Sequence, residues 1–201
     1  MVSTESTTGR LTDPEERWPV HEVEQIWDGK APFSVRRDTI SAPDRPNERF
    51  GRLVLEHPGA VVILAVDERD RAFVLHQYRH PIGRRMLELP AGLLDVPGED
   101  PLVAARRELQ EEALLHAETW EHLLTVYPSP GLSSERMEIY LATDLSPAAG
   151  RGDFEPHHEE ADMTTSWVPV AELVEAFLAR EITNGPTGHA VLAYTLRQRI
   201  K

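Results

Sequence analysis

Glu108, Glu111 and Glu112 fall within one stretch, EDPLVAARRELQEEALL (residues 99–115). Their spacing of i, i+3 and i+4 sets them within an arc of about 100° on a helix. Like charges so arranged each cost roughly a few tenths of a kcal/mol in an isolated helix. That cost grows where the carboxylates border an apolar surface of low dielectric. Something cationic must offset it. Arg107 reaches Glu111 at i+4, but one guanidinium does not neutralise three carboxylates. An all-oxygen donor set without thiolate or imidazole suits a hard divalent cation, Mg²⁺ first and Mn²⁺ or another divalent ion as substitutes. Taken alone, the helix reads first as a solvated acidic face, since RRELQEE is also ordinary surface composition.

The elements around the stretch are what position it. Asp100 is a suitable N-cap and Pro101 suits the first helical position, where a missing N–H costs nothing. Leu102, Ala105, Leu109 and Ala113 repeat at 3, 4 and 4, an apolar stripe that the glutamates border. Before the helix, MLELP (86–90) reads as a strand running into a Gly-containing loop, AGLLDVPGED, so backbone groups converge near the glutamates. Upstream, VVILAV (61–66) and AFVLHQYR (72–79) flank DERDR and read as a hairpin. Downstream come the strands HLLTVY and ERMEIYLATDL joined by PSPGLSSE. A polar loop, SPAAGRGDFEPHHEEAD, then leads to the strand MTTSWVPV and two closing helices, AELVEAFLAR and, after NGPTG, HAVLAYTLRQR. Irregular alternation of strands with three helices gives an α/β (α+β) class. Residues 1–18 read as a flexible polar tail, residues 19–57 as a small antiparallel β domain, and residues 58–201 as the main domain.

Composition narrows the chemistry. Against 34 acidic residues the chain has 21 lysines and arginines, a formal charge of −13. This argues against a nucleic-acid groove or an anionic membrane surface as partner. An anionic ligand would need a metal or a few placed arginines. With no cysteine, thiolate metal sites, disulfide scaffolds and cysteine nucleophiles are excluded. The first twenty residues have no apolar core of a signal peptide, and no 18-residue apolar run exists. The expectation is a cytoplasmic protein.

The stretch from Gly92 to Leu115 resembles the Nudix box, which reads Gly, five residues, Glu, seven residues, Arg-Glu-apolar-x-Glu-Glu-x-Gly-apolar. Glu99, Arg107, Glu108, Leu109, Glu111, Glu112 and Leu115 follow it in register. Six residues instead of five separate Gly92 from Glu99, an insertion a loop tolerates. Leu114 stands where the pattern has glycine, a position that usually lets the chain leave the helix, and left-handed geometry there strains a leucine. Neither departure touches the carboxylates. LHQYRHP, LELPAGLLD, YPSPGLSSE and HHEEADM extend the likeness to residues 21–199 and resemble the ADP-ribose pyrophosphatase subfamily. Pro130 falls sixteen residues past the box glycine position, as in that subfamily.

The resemblance implies a Nudix-like α/β/α sandwich with a mixed sheet, and hydrolysis of the ADP-ribose pyrophosphate to AMP and ribose 5-phosphate. It implies Glu108 and Glu112 as direct metal ligands and Glu111 as a third or water-mediated one, completed by the Ala91 carbonyl, with Arg107 orienting the glutamates. Arg79 would face the pyrophosphate and Glu135 would contact the substrate. The general base would come from HHEEADM as Glu159 or Glu160, with His157 and His158 as rivals. For an adenine platform Trp27, Phe33 and Phe50 stand open, whereas Trp120, Trp167, Phe177 and Tyr194 fit apolar stripes and read as packing. The subfamily also implies a homodimer formed through the N-terminal β domain, which reaches the partner's site. The competing readings are a pyrophosphatase for another nucleoside diphosphate derivative, such as a nucleotide sugar, and a non-catalytic nucleotide sensor. An intact glutamate set and no spare helical module speak against the sensor.

Overall fold

The computed structural model describes residues 11–29, 32–150, 152 and 162–200. Glu159 and Glu160, the candidate bases, and the neighbouring His157 and His158 lie outside the described residues.

Three sheets organise the chain. The first is an antiparallel meander of β1 (Val20–Asp28), β2 (Ser34–Ile40) and β3 (Phe50–Glu56). The second runs in the order β7 (Ala91–Leu93), β4 (Ala60–Ala65), β9 (Met137–Pro147), β8 (Leu115–Val126) and is mixed, because β4 and β9 pair in parallel. The third sets β5 (Arg71–Arg79) between β10 (Thr164–Pro169) and β6 (Arg84–Glu88), antiparallel throughout.

Strand β4 is the keel. All six of its residues are buried, the pattern of a strand covered on both faces. With a side-chain period of two, Val61, Ile63 and Ala65 pack with Ala105 and Leu109 of α1 (Pro101–Ala113) on one side. Val62 and Leu64 pack on the other side with Leu173 of α2 (Val170–Leu178) and Val191 of α3 (Gly185–Ile200). Helices thus cover both faces of the mixed sheet. This is the α/β/α layering expected from the sequence. Trp120 and Trp167 pack against the α1 side and Tyr194 against the other, while Phe177 lies over Gly188; all four aromatics serve packing.

Three local expectations differ from the structure, the first at β8, which begins at Leu115, seven residues before the run HLLTVY. The runs 61–66 and 72–79 do not form a ladder with each other. Only Val66 and Ala72 bridge at the turn, and the strands then diverge, β4 into the mixed sheet and β5 into the third. Each strand instead has partners on both edges within its own sheet, β4 between β7 and β9 and β5 between β10 and β6. The last helix also begins earlier than the run 189–199, taking in the preceding loop. The Asn184 side-chain oxygen accepts hydrogen bonds from the Thr187 N–H and hydroxyl, both at 2.9 Å, and Pro186 falls in the first turn, where no N–H is needed.

The N-cap of α1 is as the sequence indicates: Asp100 accepts the Leu102 N–H at 2.8 Å. At the other end Leu114 adopts φ 55° and ψ 39°, the left-handed exit expected from the missing glycine. Among the described residues, no helix is long and apolar enough to cross a membrane.

Candidate active site

Helix α1 turns its acidic edge toward β7, and the fit depends on a glycine. A Cβ at Gly92 would overlap the Glu108 carboxyl, so the carboxylate lies against bare backbone. One residue earlier, the Ala91 N–H donates to Glu112 Oε2 at 2.9 Å. Glu108 and Glu112 are only 9% and 8% exposed, so the acidic edge is not a solvated face.

Arg107 binds three of the acids. It donates to Glu108 Oε1 at 2.7 Å and to Glu111 Oε2 at 3.1 Å from the same nitrogen, and to Glu99 at 3.3 and 3.4 Å. Burial works against its charge, but the bonds to Glu99 and Glu108 outweigh that and raise its pKa. For Glu108 burial dominates instead. Desolvation, with the charges of Glu111 and Asp95 adding to it, pushes its pKa up to about 7 despite Arg107. A carboxylate held near neutrality for want of positive charge is what a hard cation would correct.

The chemistry of the donor set fits a divalent ion: three carboxylates beside the backbone of β7, without thiolate or imidazole among them. Among the described residues no three histidine, aspartate or glutamate side chains are gathered, as they stand, into a group that could hold a metal ion. Their oxygens are engaged by Arg107 and by the Ala91 N–H, and coordination would require Glu108 and Glu111 to rotate off the guanidinium.

These groups form one wall of a cavity of about 780 Å³. Ala91, Arg107, Glu108, Glu111 and Glu112 line it, as do Arg79 and Glu135. The seven described residues to which the sequence reading gave a metal, orienting or substrate role thus line the same space. Arg79 closes β5, and it makes a bidentate pair with Glu88, at 2.6 Å for the shortest contact. Glu88 is 5% exposed and was missed from sequence. Its alternation within LELP made it inward-facing, a signal that could have found it. Among the three open aromatics, Phe33 lines the cavity. Phe50 packs on Trp18 and under Arg52 instead, and Trp27 folds over Gly29. His57, Gln77, Asp95 and Asn184 also line the space and carried no spacing signal.

The family model for the NUDIX domain matches residues 56–187 of this chain, the span that contains this wall. The chain belongs to the Nudix hydrolase family. An ADP-ribose pyrophosphatase of Mycobacterium tuberculosis is 47% identical over 161 residues, covering 80% of this chain and 75% of that protein. An ADP-ribose pyrophosphatase of Bacillus subtilis is 29% identical over 178 residues, covering 89% and 92%. A crystal structure of an ADP compounds hydrolase superposes with a TM-score of 0.75 at 22% identity, covering 94% of this chain and 97% of that one, a likeness of fold. Within this Nudix chain the box departures are now physical: Leu114 keeps the left-handed exit without a glycine, and the extra loop residue leaves the carboxylates in place.

Proposed function

We propose that this Nudix hydrolase cleaves the pyrophosphate bond of ADP-ribose with water, giving AMP and ribose 5-phosphate. The supporting observation is that two arginines and the box carboxylates line one cavity large enough for a nucleoside diphosphate. The names of the two relatives point to the same substrate.

In this reading Glu108, Glu111 and Glu112 hold the divalent cation, Mg²⁺ by preference, with the Ala91 carbonyl as a further ligand. When bound, such ions neutralise the pyrophosphate oxygens, and the rest of the catalysis is positioning and electrostatics. Arg107 keeps the carboxylates in register through charge-assisted bonds. Arg79 faces the pyrophosphate, its guanidinium set against the cavity by the Nε and Nη2 bonds to Glu88. Glu159 or Glu160 accepts the proton of the attacking water. The oxygen of that water bonds to one phosphorus, the bridging P–O bond breaks, and the bridging oxygen leaves on the other phosphate. Single E159Q and E160Q variants identify the base: its loss removes turnover and leaves metal binding intact.

The same proposal includes a homodimer through residues 19–57. Val20, Val23, Ile26, Trp27 and Leu53 are exposed on the N-terminal sheet, more apolar surface than an isolated meander needs. Light scattering of the purified chain checks it, twice the chain mass being the expected result. A cytoplasmic setting goes with substrates that are free nucleotides. The substrate is tested by comparing kcat/KM for ADP-ribose with that for a panel of nucleotide sugars. Preference for ADP-ribose supports the reading; preference for a nucleotide sugar keeps the chemistry and replaces the substrate.

A further inference from the structure

His57 lies just past β3 and lines the same cavity as the glutamates, yet nothing in the pyrophosphate chemistry above uses it. Its side chain is 10% exposed. The Gly59 N–H donates to His57 Nδ1 at 3.0 Å. Nδ1 is therefore an acceptor, and the neutral ring carries its proton on Nε2. Nε2 stands 3.8 Å from Glu135 Oε1, too far for a direct hydrogen bond. Burial lowers the His57 pKa, although the Glu135 charge opposes this, so the ring is neutral at physiological pH. Phe33 covers the imidazole, ring centres 5.0 Å apart and planes inclined by 31°.

Both partners are held by backbone. The Ser134 hydroxyl accepts the His57 N–H at 3.0 Å. Leu55 donates to the Leu132 carbonyl at 2.9 Å and accepts from the Ser134 N–H at 3.0 Å, a short parallel ladder between β3 and the loop carrying Glu135. These bonds set the backbones of His57 and Glu135 side by side, and the two side chains then span the remaining gap.

We infer that His57 and Glu135 form a hydroxyl-reading pair, in which one ribose hydroxyl of the substrate accepts from His57 Nε2–H and donates to Glu135. A hydroxyl is both donor and acceptor, and an oxygen about 2.8 Å from each atom closes the triangle. A phosphate oxygen has no proton to give Glu135 and is repelled by it, so the pair selects sugar over phosphate. His57 is then a substrate-binding and specificity residue, with no part in activating water. This rests on the ADP-ribose reading for its substrate and not for its geometry.

The test is a steady-state comparison of the full-length wild type with H57F, H57Q and E135Q. H57F keeps a ring against Phe33 and removes the donor, while H57Q returns an amide donor near the position of Nε2. One lost hydrogen bond corresponds to a KM about tenfold higher for H57F on ADP-ribose, with kcat within about threefold. H57Q recovers most of that loss. The H57F penalty disappears on whichever deoxygenated ADP-ribose analogue, one for each ribose, lacks the bridging hydroxyl. An unchanged KM for H57F, a fall in kcat alone, or a penalty that persists on both analogues would overturn the assignment. Should the wild type prefer another nucleoside diphosphate sugar, the substrate proposal fails, and the same KM ratio on that sugar and its deoxy analogues decides His57 separately.

Discussion

Glu108 links the site to folding stability. Its pKa in the folded protein is raised from 4.5 to about 7, burial being the chief cause. The folded state therefore holds this proton more tightly than the unfolded chain does. Stability from this group is complete below about pH 4.5 and is lost as pH rises through about 7. At about 1.4 kcal/mol per pH unit, the gap between 4.5 and about 7 amounts to about 3 kcal/mol in the metal-free protein. Replacing the carboxyl by an amide, E108Q, keeps the shape and removes the titration. Urea unfolding in EDTA from pH 5 to pH 8 measures it. The wild type should lose about 2–3 kcal/mol more than E108Q over that range, with the same m-value. Saturating Mg²⁺ should remove the difference in slope by favouring the ionised form. Parallel curves for the two proteins in EDTA would refute the burial argument, because every other titrating group is common to both.

Three further outcomes are expected. L114G should raise Tm by about 2–4 °C, since Leu114 carries a left-handed cost of about 1 kcal/mol at φ 55° and its side chain is exposed; a lower Tm would contradict the strain. G92A should cut turnover about 100-fold or more while circular dichroism is retained, because the new Cβ overlaps the Glu108 carboxyl and displaces it. R107K should cost about 10–100-fold in activity or metal affinity, as one ammonium does not span Glu99, Glu108 and Glu111; full activity would show that the guanidinium fork is not needed.

The legible part of the molecule is the part written in local rules. Asp100 and Pro101 announce the start of α1, the 3-4-4 stripe gives its buried face, and the glutamate spacing gives its acidic edge. Leu114 in the glycine position was readable as strain because the exit geometry depends only on neighbouring residues. Partner choice between strands was not readable. VVILAV and AFVLHQYR both satisfy the pattern of buried strands, and nothing local says that they join different sheets. The start of α3 was hidden for a related reason: NGPTG looks like a loop unless Asn184 is seen to cap Thr187. His57 escaped because it meets the loop before Glu135 only in the fold, whereas the alternation within LELP marked Glu88 as inward-facing and only its partner at the end of β5 was hidden.

The most direct test is to incubate the purified chain with ADP-ribose and Mg²⁺ and separate the products by chromatography, beside an EDTA control and E112Q. Glu112 is 8% exposed and bound by the Ala91 N–H, so E112Q keeps its packing while losing the charge a cation needs. The expected result is AMP and ribose 5-phosphate in equal amounts, abolished by EDTA and reduced by orders of magnitude in E112Q. Full activity of E112Q, or turnover undiminished in EDTA, would contradict the assignment of the box carboxylates to the metal.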